Sequence, residues 1–149
     1  MKKFGLVFLL VCFLLVGCGK TETTKEETNK TEAKKNAVLT CSTFTKGDLD
    51  FTTYMTFYLE NDKTTKLGVK YVYDLSKYTE DQRTAMKNAN MCEMDEMKTQ
   101  LGMVDCKAEI SGTDLVVEGF AEKLLEKVVG TASELKESYE KAGWTCTLE

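Results

Sequence analysis

The sequence predicts an α+β domain over residues 38–149, in which one long and one shorter helix pack on an antiparallel sheet. Several short segments alternate apolar with polar residues, which is the period of a strand with one buried face. Between residues 78 and 101, and again between 131 and 143, the period lengthens to that of a helix. The links between the strand segments are too short for parallel crossovers, which makes the sheet antiparallel.

Three strands are expected to open the domain as a meander. β-branched residues dominate Val38–Thr45, and Lys46-Gly47-Asp48 supplies a turn. The second strand, Phe51–Leu59, alternates strictly between its two faces. After a turn at Asn61-Asp62, a third strand places its apolar residues on one face, namely Leu67, Val69, Tyr71, Tyr73 and Leu75.

The segment from Tyr78 to Leu101 predicts the long helix. Thr79 can cap its first turn, and Gly102 follows its last apolar residue. On a helical wheel the apolar residues share one stripe, which we expect to pack on the sheet: Tyr78, Met86, Ala89, Met94, Met97 and Leu101.

The second half of the domain predicts a hairpin, a helix and a last strand. The hairpin covers residues 104–120 and turns at Ser111-Gly112-Thr113-Asp114, and a short helix is expected over Ala121–Val129. Thr131 and Glu134 form a capping-box pattern for the shorter main helix, which Gly143 ends. Trp144–Leu148 predicts the terminal strand.

The N-terminus has the pattern of a bacterial lipoprotein signal. Two lysines precede an apolar run, Phe4–Val16, that is too short to span a bilayer as a mature helix. The stretch Leu15-Val16-Gly17-Cys18 reads as a lipobox, which predicts that residues 1–17 are a signal peptide and that Cys18 carries the lipid, with fatty acids such as palmitate. An uncleaved membrane anchor is the alternative.

Residues 18–37 then form the lipidated cysteine and a spacer. The spacer is nearly all Lys, Thr, Glu and Asn, so it has little apolar surface with which to offset the entropy of ordering, and we expect it to be disordered. The predicted location is therefore the extracytoplasmic face of the cell membrane, with the membrane itself as a partner through the anchor.

Composition restricts the function. The chain has no His, which removes the usual general base near neutral pH and the commonest transition-metal ligand. From residue 37 onward, 13 Lys or Arg face 20 Asp or Glu, a net charge of -7, which argues against nucleic acid as a partner. With no nucleophile–base pattern either, we expect a non-enzymatic domain without a cofactor.

The four cysteines of the domain predict two disulfides, because cysteines outside the cytoplasm usually pair. A helix from Cys92 to Leu101 advances about 13 Å and a returning strand to Cys106 retraces about 13 Å, so these two cysteines should meet. The pairs are then Cys92–Cys106 and Cys41–Cys146. A four-cysteine zinc site and a catalytic dithiol are the alternatives, but both favour a Cys-x-x-Cys spacing that is missing here.

Taken together, these features resemble the YehR-like family of small bacterial lipoproteins. The resemblance covers most of residues 38–149 and includes the lipobox, the Lys/Thr/Glu spacer, the Asn61-Asp62-Lys63 turn and the closing segment Tyr139-Glu140-Lys141-Ala142-Gly143-Trp144-Thr145-Cys146. The cysteine pairs point to a disulfide-bearing branch of low-GC Gram-positive bacteria. The resemblance implies an α+β domain with an antiparallel sheet on a lipid anchor, and it carries no site residues.

Three groups of residues have a functional as well as a structural interpretation. Met91, Met94 and Met97 have a spacing at which thioethers can bind Cu(I), although methionines commonly fill a core. Glu93, Asp95 and Glu96 could serve acid–base or Ca²⁺ chemistry, but the segment lacks the loop glycine of a calcium site and a solvated helix face is the simpler interpretation.

A third group consists of tyrosines in the second and third strands, where they either pack under the helix or form a recognition surface: Tyr54, Tyr58, Tyr71 and Tyr73. The function expected from the whole sequence is an anchored extracytoplasmic binding or envelope-associated module, whose partner is a protein or another envelope component. A copper-handling protein that uses the methionine run is the alternative.

Overall fold

The computed structural model describes residues 36–149, and their strands form one six-stranded antiparallel sheet. The order across the sheet is β4-β5-β3-β2-β1-β6. The predicted α+β class with a meander, a second hairpin and a terminal strand is confirmed. The strands are β1 (Asn36–Thr45), β2 (Phe51–Glu60), β3 (Lys63–Asp74), β4 (Met103–Ser111), β5 (Asp114–Ala121) and β6 (Thr145–Leu148).

Tight turns fix the register of the hairpins. Asn61 and Asp62 both have positive φ, at 50° and 62°, which is the backbone that a two-residue hairpin turn requires. The strand pairing at this end sets Leu59 against Thr64, with a bulge beside it. Register matters because a slip of one residue would move every buried side chain to the opposite face.

The sheet has one buried face, the core face. Alternate residues of the central strands form it, as the period of two predicts, and its buried residues include Leu39, Cys41, Met55, Phe57, Leu59, Leu67, Val69, Tyr71, Tyr73, Leu115 and Val117. The intervening residues form the opposite, open face, which includes Thr40, Ser42, Tyr54, Thr56, Tyr58, Lys66, Gly68, Lys70, Glu118 and Phe120.

The prediction of one long helix is wrong. Helix α1 covers only Glu80–Asn88, capped as expected by Thr79. It ends because Asn90 adopts the left-handed conformation with φ of 48°, a common way to stop a helix. The chain continues as a 3-10 turn at Met91–Glu93 and a π-helical turn at Glu96–Gln100.

The break also changes which apolar residues reach the core. Met97 and Leu101 are buried as expected, whereas Ala89 and Met94 are exposed. Their expected place on one stripe depended on a continuous period of 3.6 residues, which the left-handed residue interrupts.

Two further helices complete the domain. Helix α2 is a single turn at Glu122–Leu125, within the predicted short helix. Helix α3 covers Ala132–Lys141 and begins with the predicted capping box of Thr131 and Glu134. It packs on the core face, where the Tyr139 ring meets the Phe57 ring edge-on with centroids 5.2 Å apart.

No helix among residues 36–149 has the length and apolar character needed to cross a bilayer. The strand β1 begins at Asn36, two residues before the predicted start of the domain. The predicted signal peptide, residues 1–17, and nearly all of the predicted spacer lie outside the described residues.

Candidate functional site

Both predicted disulfides are present. Cys41 and Cys146 lie directly opposite each other on β1 and β6, and Cys92 bonds Cys106. Cys92 lies in the 3-10 turn, so the prediction of a helical path from Cys92 to Leu101 is wrong. The pair still forms because this turn contacts β4, which carries Cys106. Cysteines held in disulfides cannot supply the thiolates of a zinc site, and neither pair has the Cys-x-x-Cys spacing of a catalytic dithiol.

The lipidation residue, Cys18, lies outside the described residues. Its assignment therefore remains a prediction from the lipobox. The described domain carries the other candidate groups.

The methionine run does not form one exposed set of thioethers. Met97 is 2% exposed and fills the core, Met94 is 43% exposed, and Met91 is half-buried. The exposure of Met94 contradicts its predicted place in the core. A Cu(I) site that used all three sulfur atoms would have to draw Met97 out of the core.

The neighbouring acidic residues do not converge on a metal site. Glu93 pairs with Lys98, and the exposed Asp95 faces solvent. Within residues 36–149 no three acidic or cysteine side chains are placed to hold a metal ion. Burial, and secondly the charge of Glu96, raises the pKa of Tyr73 to about 12, so this hydroxyl stays protonated at neutral pH.

The four tyrosines divide between the two faces of the sheet. Tyr71 and Tyr73 lie on the core face with the Phe51 ring, at centroid distances of 6.3 and 5.3 Å from it. Tyr54 and Tyr58 lie on the open face, where Tyr58 is 39% exposed. Packing in the core therefore fits Tyr71 and Tyr73, and a recognition surface fits the positions of Tyr54 and Tyr58.

At the centre of the open face, Gly68 in β3 has no side chain, and its nearest neighbours are the Thr56 side chain and the Tyr58 ring. Thr56 of β2 and Phe120 of β5 flank this glycine directly in the register. The next residues along β2 on the same face are Tyr54 and Tyr58. We call this feature the Gly68 hollow, with a rim of Tyr54, Thr56, Tyr58, Lys66, Lys70 and Phe120.

The fold itself does not require glycine at this position. The φ of Gly68 is not positive, and a Cβ built there would come no closer than 3.6 Å to the Thr56 side chain and 3.8 Å to the Tyr58 ring, which are ordinary contacts. Gly119 of β5 differs, because its Cβ would lie 2.9 Å from the Val104 carbonyl oxygen. Glycine inside a strand often marks the close approach of a ligand or another backbone.

Two lysines place their ammonium groups over aromatic rings of the rim. The Nζ of Lys66 lies 3.5 Å from the centroid of the Phe120 ring, and that of Lys70 lies 4.8 Å from the centroid of the Tyr54 ring. Both distances are within the range of a cation–π interaction. Neither lysine forms a salt bridge with any residue of 36–149, although Glu118 stands opposite Lys70 in the register.

A cleft of about 220 Å³ adjoins the hollow. Lys66 and Phe120 belong to both, and the cleft extends past Val104 and Leu125 toward α2. Its wall includes Asp105, which adopts a positive φ of 52° in the bulge of β4. Bulges of this kind redirect side chains, often next to a functional site.

The sequence indicated only part of this site. Alternation along β2 separates Tyr54 and Tyr58 from the core residues, but β3 and β5 are neighbours only in the folded sheet. The proximity of Lys66, Gly68 and Phe120 therefore had no signal in the sequence beyond a single glycine within an alternating strand.

No protein-family model matches the chain, and no curated protein matches it significantly. Among solved structures, an NMR structure of a protein from Streptococcus pneumoniae TIGR4 covers 89% of this chain and 100% of its own length. The two chains are 15% identical and superpose with a TM-score of 0.45.

Proposed function

We propose that the protein is an extracytoplasmic lipoprotein, anchored to the cell membrane through Cys18, whose domain binds an envelope component without catalysing a reaction. The observation that carries the proposal is the Gly68 hollow, where aromatic rings and two lysines that form no salt bridge with residues 36–149 surround a glycine in the open face. Membership of the YehR-like family stays a prediction.

Binding is the role that this surface supports best. The water-facing side of an antiparallel sheet is usually polar, so aromatic residues there call for an explanation. Tyr and Phe contribute large, rigid contact areas, and exposed residues of this kind are typical of recognition surfaces. The rim offers ring faces, hydroxyls and ammonium groups, which are groups that can bind a ligand. The rim contains no general base that could activate a nucleophile.

The anchor is tested by replacing Cys18 with Ala. We expect the variant to lose metabolic labelling by a fatty acid and to leave the membrane fraction, with the thermal unfolding of the domain unchanged. Incorporation of the fatty acid into the Cys18→Ala variant would contradict the lipobox assignment.

The site is tested by photo-crosslinking in intact cells. A photoreactive residue at Tyr58, on the open face, should give a crosslinked product, and the same residue at Glu137, on the exposed side of α3, serves as the control. Adding Gly68→Thr should remove the product at position 58. Equal crosslinking from both positions, or crosslinking that persists with Gly68→Thr, would contradict binding at the hollow.

A further inference from the structure

We infer that the Gly68 hollow binds a polysaccharide that carries carboxylate groups, an inference that rests on the proposed binding role. A sugar ring would lie over Gly68 against the aromatic rim, and its carboxylates would meet Lys66 and Lys70. Three properties of the hollow lead to this ligand: its shape, its hydroxyl groups and its charge.

The shape of the hollow suits a ring that lies parallel to the sheet. Strands are about 4.8 Å apart, so the backbones of β2 and β5, on either side of Gly68, are separated by roughly 10 Å. The Tyr58 ring edge lies 3.8 Å from the place of a Gly68 Cβ, so this ring is the aromatic surface next to Gly68. A sugar ring has apolar C–H groups on its faces, which can pack against such rings.

The hydroxyl groups of the open face suit the rim of a sugar. Thr40 and Thr56 form a side-chain hydrogen bond of 3.5 Å beside the hollow, and Ser42 stands next to Tyr54 in the register. Each hydroxyl can both donate and accept. An entirely apolar occupant, such as a lipid chain, would offer these hydroxyl groups no further hydrogen bond.

The charge of the hollow suits a moderately anionic ligand. Lys66 and Lys70 are the charged residues of the rim, although residues 37–149 together carry a net charge of -7. Lys66 and Lys70 have no salt-bridge partner among residues 36–149, so a carboxylate can approach them.

Affinity measurements with full-length protein in a non-ionic detergent can test this ligand class. Polygalacturonate supplies sugar rings with carboxylates, hydroxyethyl cellulose supplies rings without charge, and poly-glutamate supplies carboxylates without sugar rings. We expect polygalacturonate to bind at least tenfold more tightly than either of the other two polymers.

Variants locate the binding. Gly68→Thr fills the hollow and should weaken binding of polygalacturonate at least tenfold, as should the double variant Lys66→Gln/Lys70→Gln. The matched control, Lys46→Gln/Lys127→Gln, removes the same charge at two exposed lysines outside the sheet and should change affinity less than twofold. The lysine pairs keep the test valid if Gly68→Thr disturbs the fold.

Several outcomes would overturn the inference. If poly-glutamate binds as tightly as polygalacturonate, the binding is ion exchange. If hydroxyethyl cellulose binds as tightly as polygalacturonate, the lysines do not contribute to binding. Tighter binding of an oligo-dT strand, a dimer that Gly68→Thr disrupts, or no binding of any polymer would also reject the polysaccharide. If Cys18 is labelled and Tyr58 crosslinks while all polymers fail, the proposed function stands and only the ligand class is wrong.

Discussion

Replacing each of two strand glycines by alanine should give opposite effects on stability. Gly68 and Gly119 both lie inside β-strands, and from the sequence they look alike. In the structure a Cβ at Gly68 makes ordinary contacts, whereas a Cβ at Gly119 lies 2.9 Å from both the Val104 carbonyl oxygen and the Met103 side chain.

The magnitudes follow from these contacts. Alanine is favoured over glycine inside a strand by roughly 0.5–1 kcal/mol, so Gly68→Ala should leave the free energy of unfolding unchanged or raise it by that amount. At Gly119 the same gain is opposed by overpacking, which costs typically about 1–3 kcal/mol. The strand β4 cannot easily retreat, because Cys106, whose Cα would lie 3.1 Å from the new Cβ, is held by its disulfide. We expect Gly119→Ala to destabilise the domain by about 1–2 kcal/mol.

Urea unfolding followed by fluorescence measures both effects. Trp144 is the single tryptophan, and its ring packs edge-on against Tyr139 at 5.2 Å, so its emission reports the folded core. Met103→Ala in the Gly119→Ala background should restore only part of the loss, because the carbonyl contact remains. If Gly68→Ala costs as much as Gly119→Ala, the fold requires glycine at both positions, and the hollow has a structural explanation.

Three further predictions concern the core. Replacing Cys41 and Cys146 by Ala should cost nearly 5 kcal/mol in urea unfolding, against about 3 for the other disulfide, because the first closes a loop of 105 residues and the second one of 14; equal costs would contradict this chain-entropy estimate. Burial raises the pKa of Tyr73 from 10.0 to about 12, so between these pH values the folded state keeps a proton that the unfolded state loses. The contribution of Tyr73 to the free energy of unfolding should be complete below pH 10 and fall by up to about 3 kcal/mol by pH 12. Tyr73→Phe should remove this contribution, and an unchanged loss of stability at alkaline pH in the variant would refute it. Met97→Ala should lower the free energy of unfolding by about 2–5 kcal/mol, whereas the exposed Met94→Ala should change it by less than about 0.5 kcal/mol, and similar losses would mean that both side chains are packed.

Local patterns predicted most of the elements correctly. The alternation along Phe51–Leu59 and the buried set from Leu67 to Leu75 reflect a period of two that any half-buried strand must show. The capping boxes at Thr79 and Thr131 also formed as expected, because a cap depends on residues only three positions apart.

The prediction of the long helix is wrong for a physical reason that the spacing of apolar residues does not show. Apolar residues can keep a helical spacing on both sides of a helix end. Here Asn90, in the left-handed conformation, ends α1 in the middle of the predicted stripe. The disulfide between Cys92 and Cys106 was predicted correctly, although the helix predicted to connect them does not form.

The sequence by itself determined the strands, the caps, the class of fold and which side of β2 faces water, because each depends on neighbours within a few residues. Only the tertiary structure decided that β3 lies between β2 and β5, which brings Tyr58, Gly68 and Phe120 to one surface. It also decided that Gly119 is required by the bulge of β4 and that Gly68 is not. Strand order sets both, because it depends on the summed packing of residues far apart in the chain, and no local pattern records that sum.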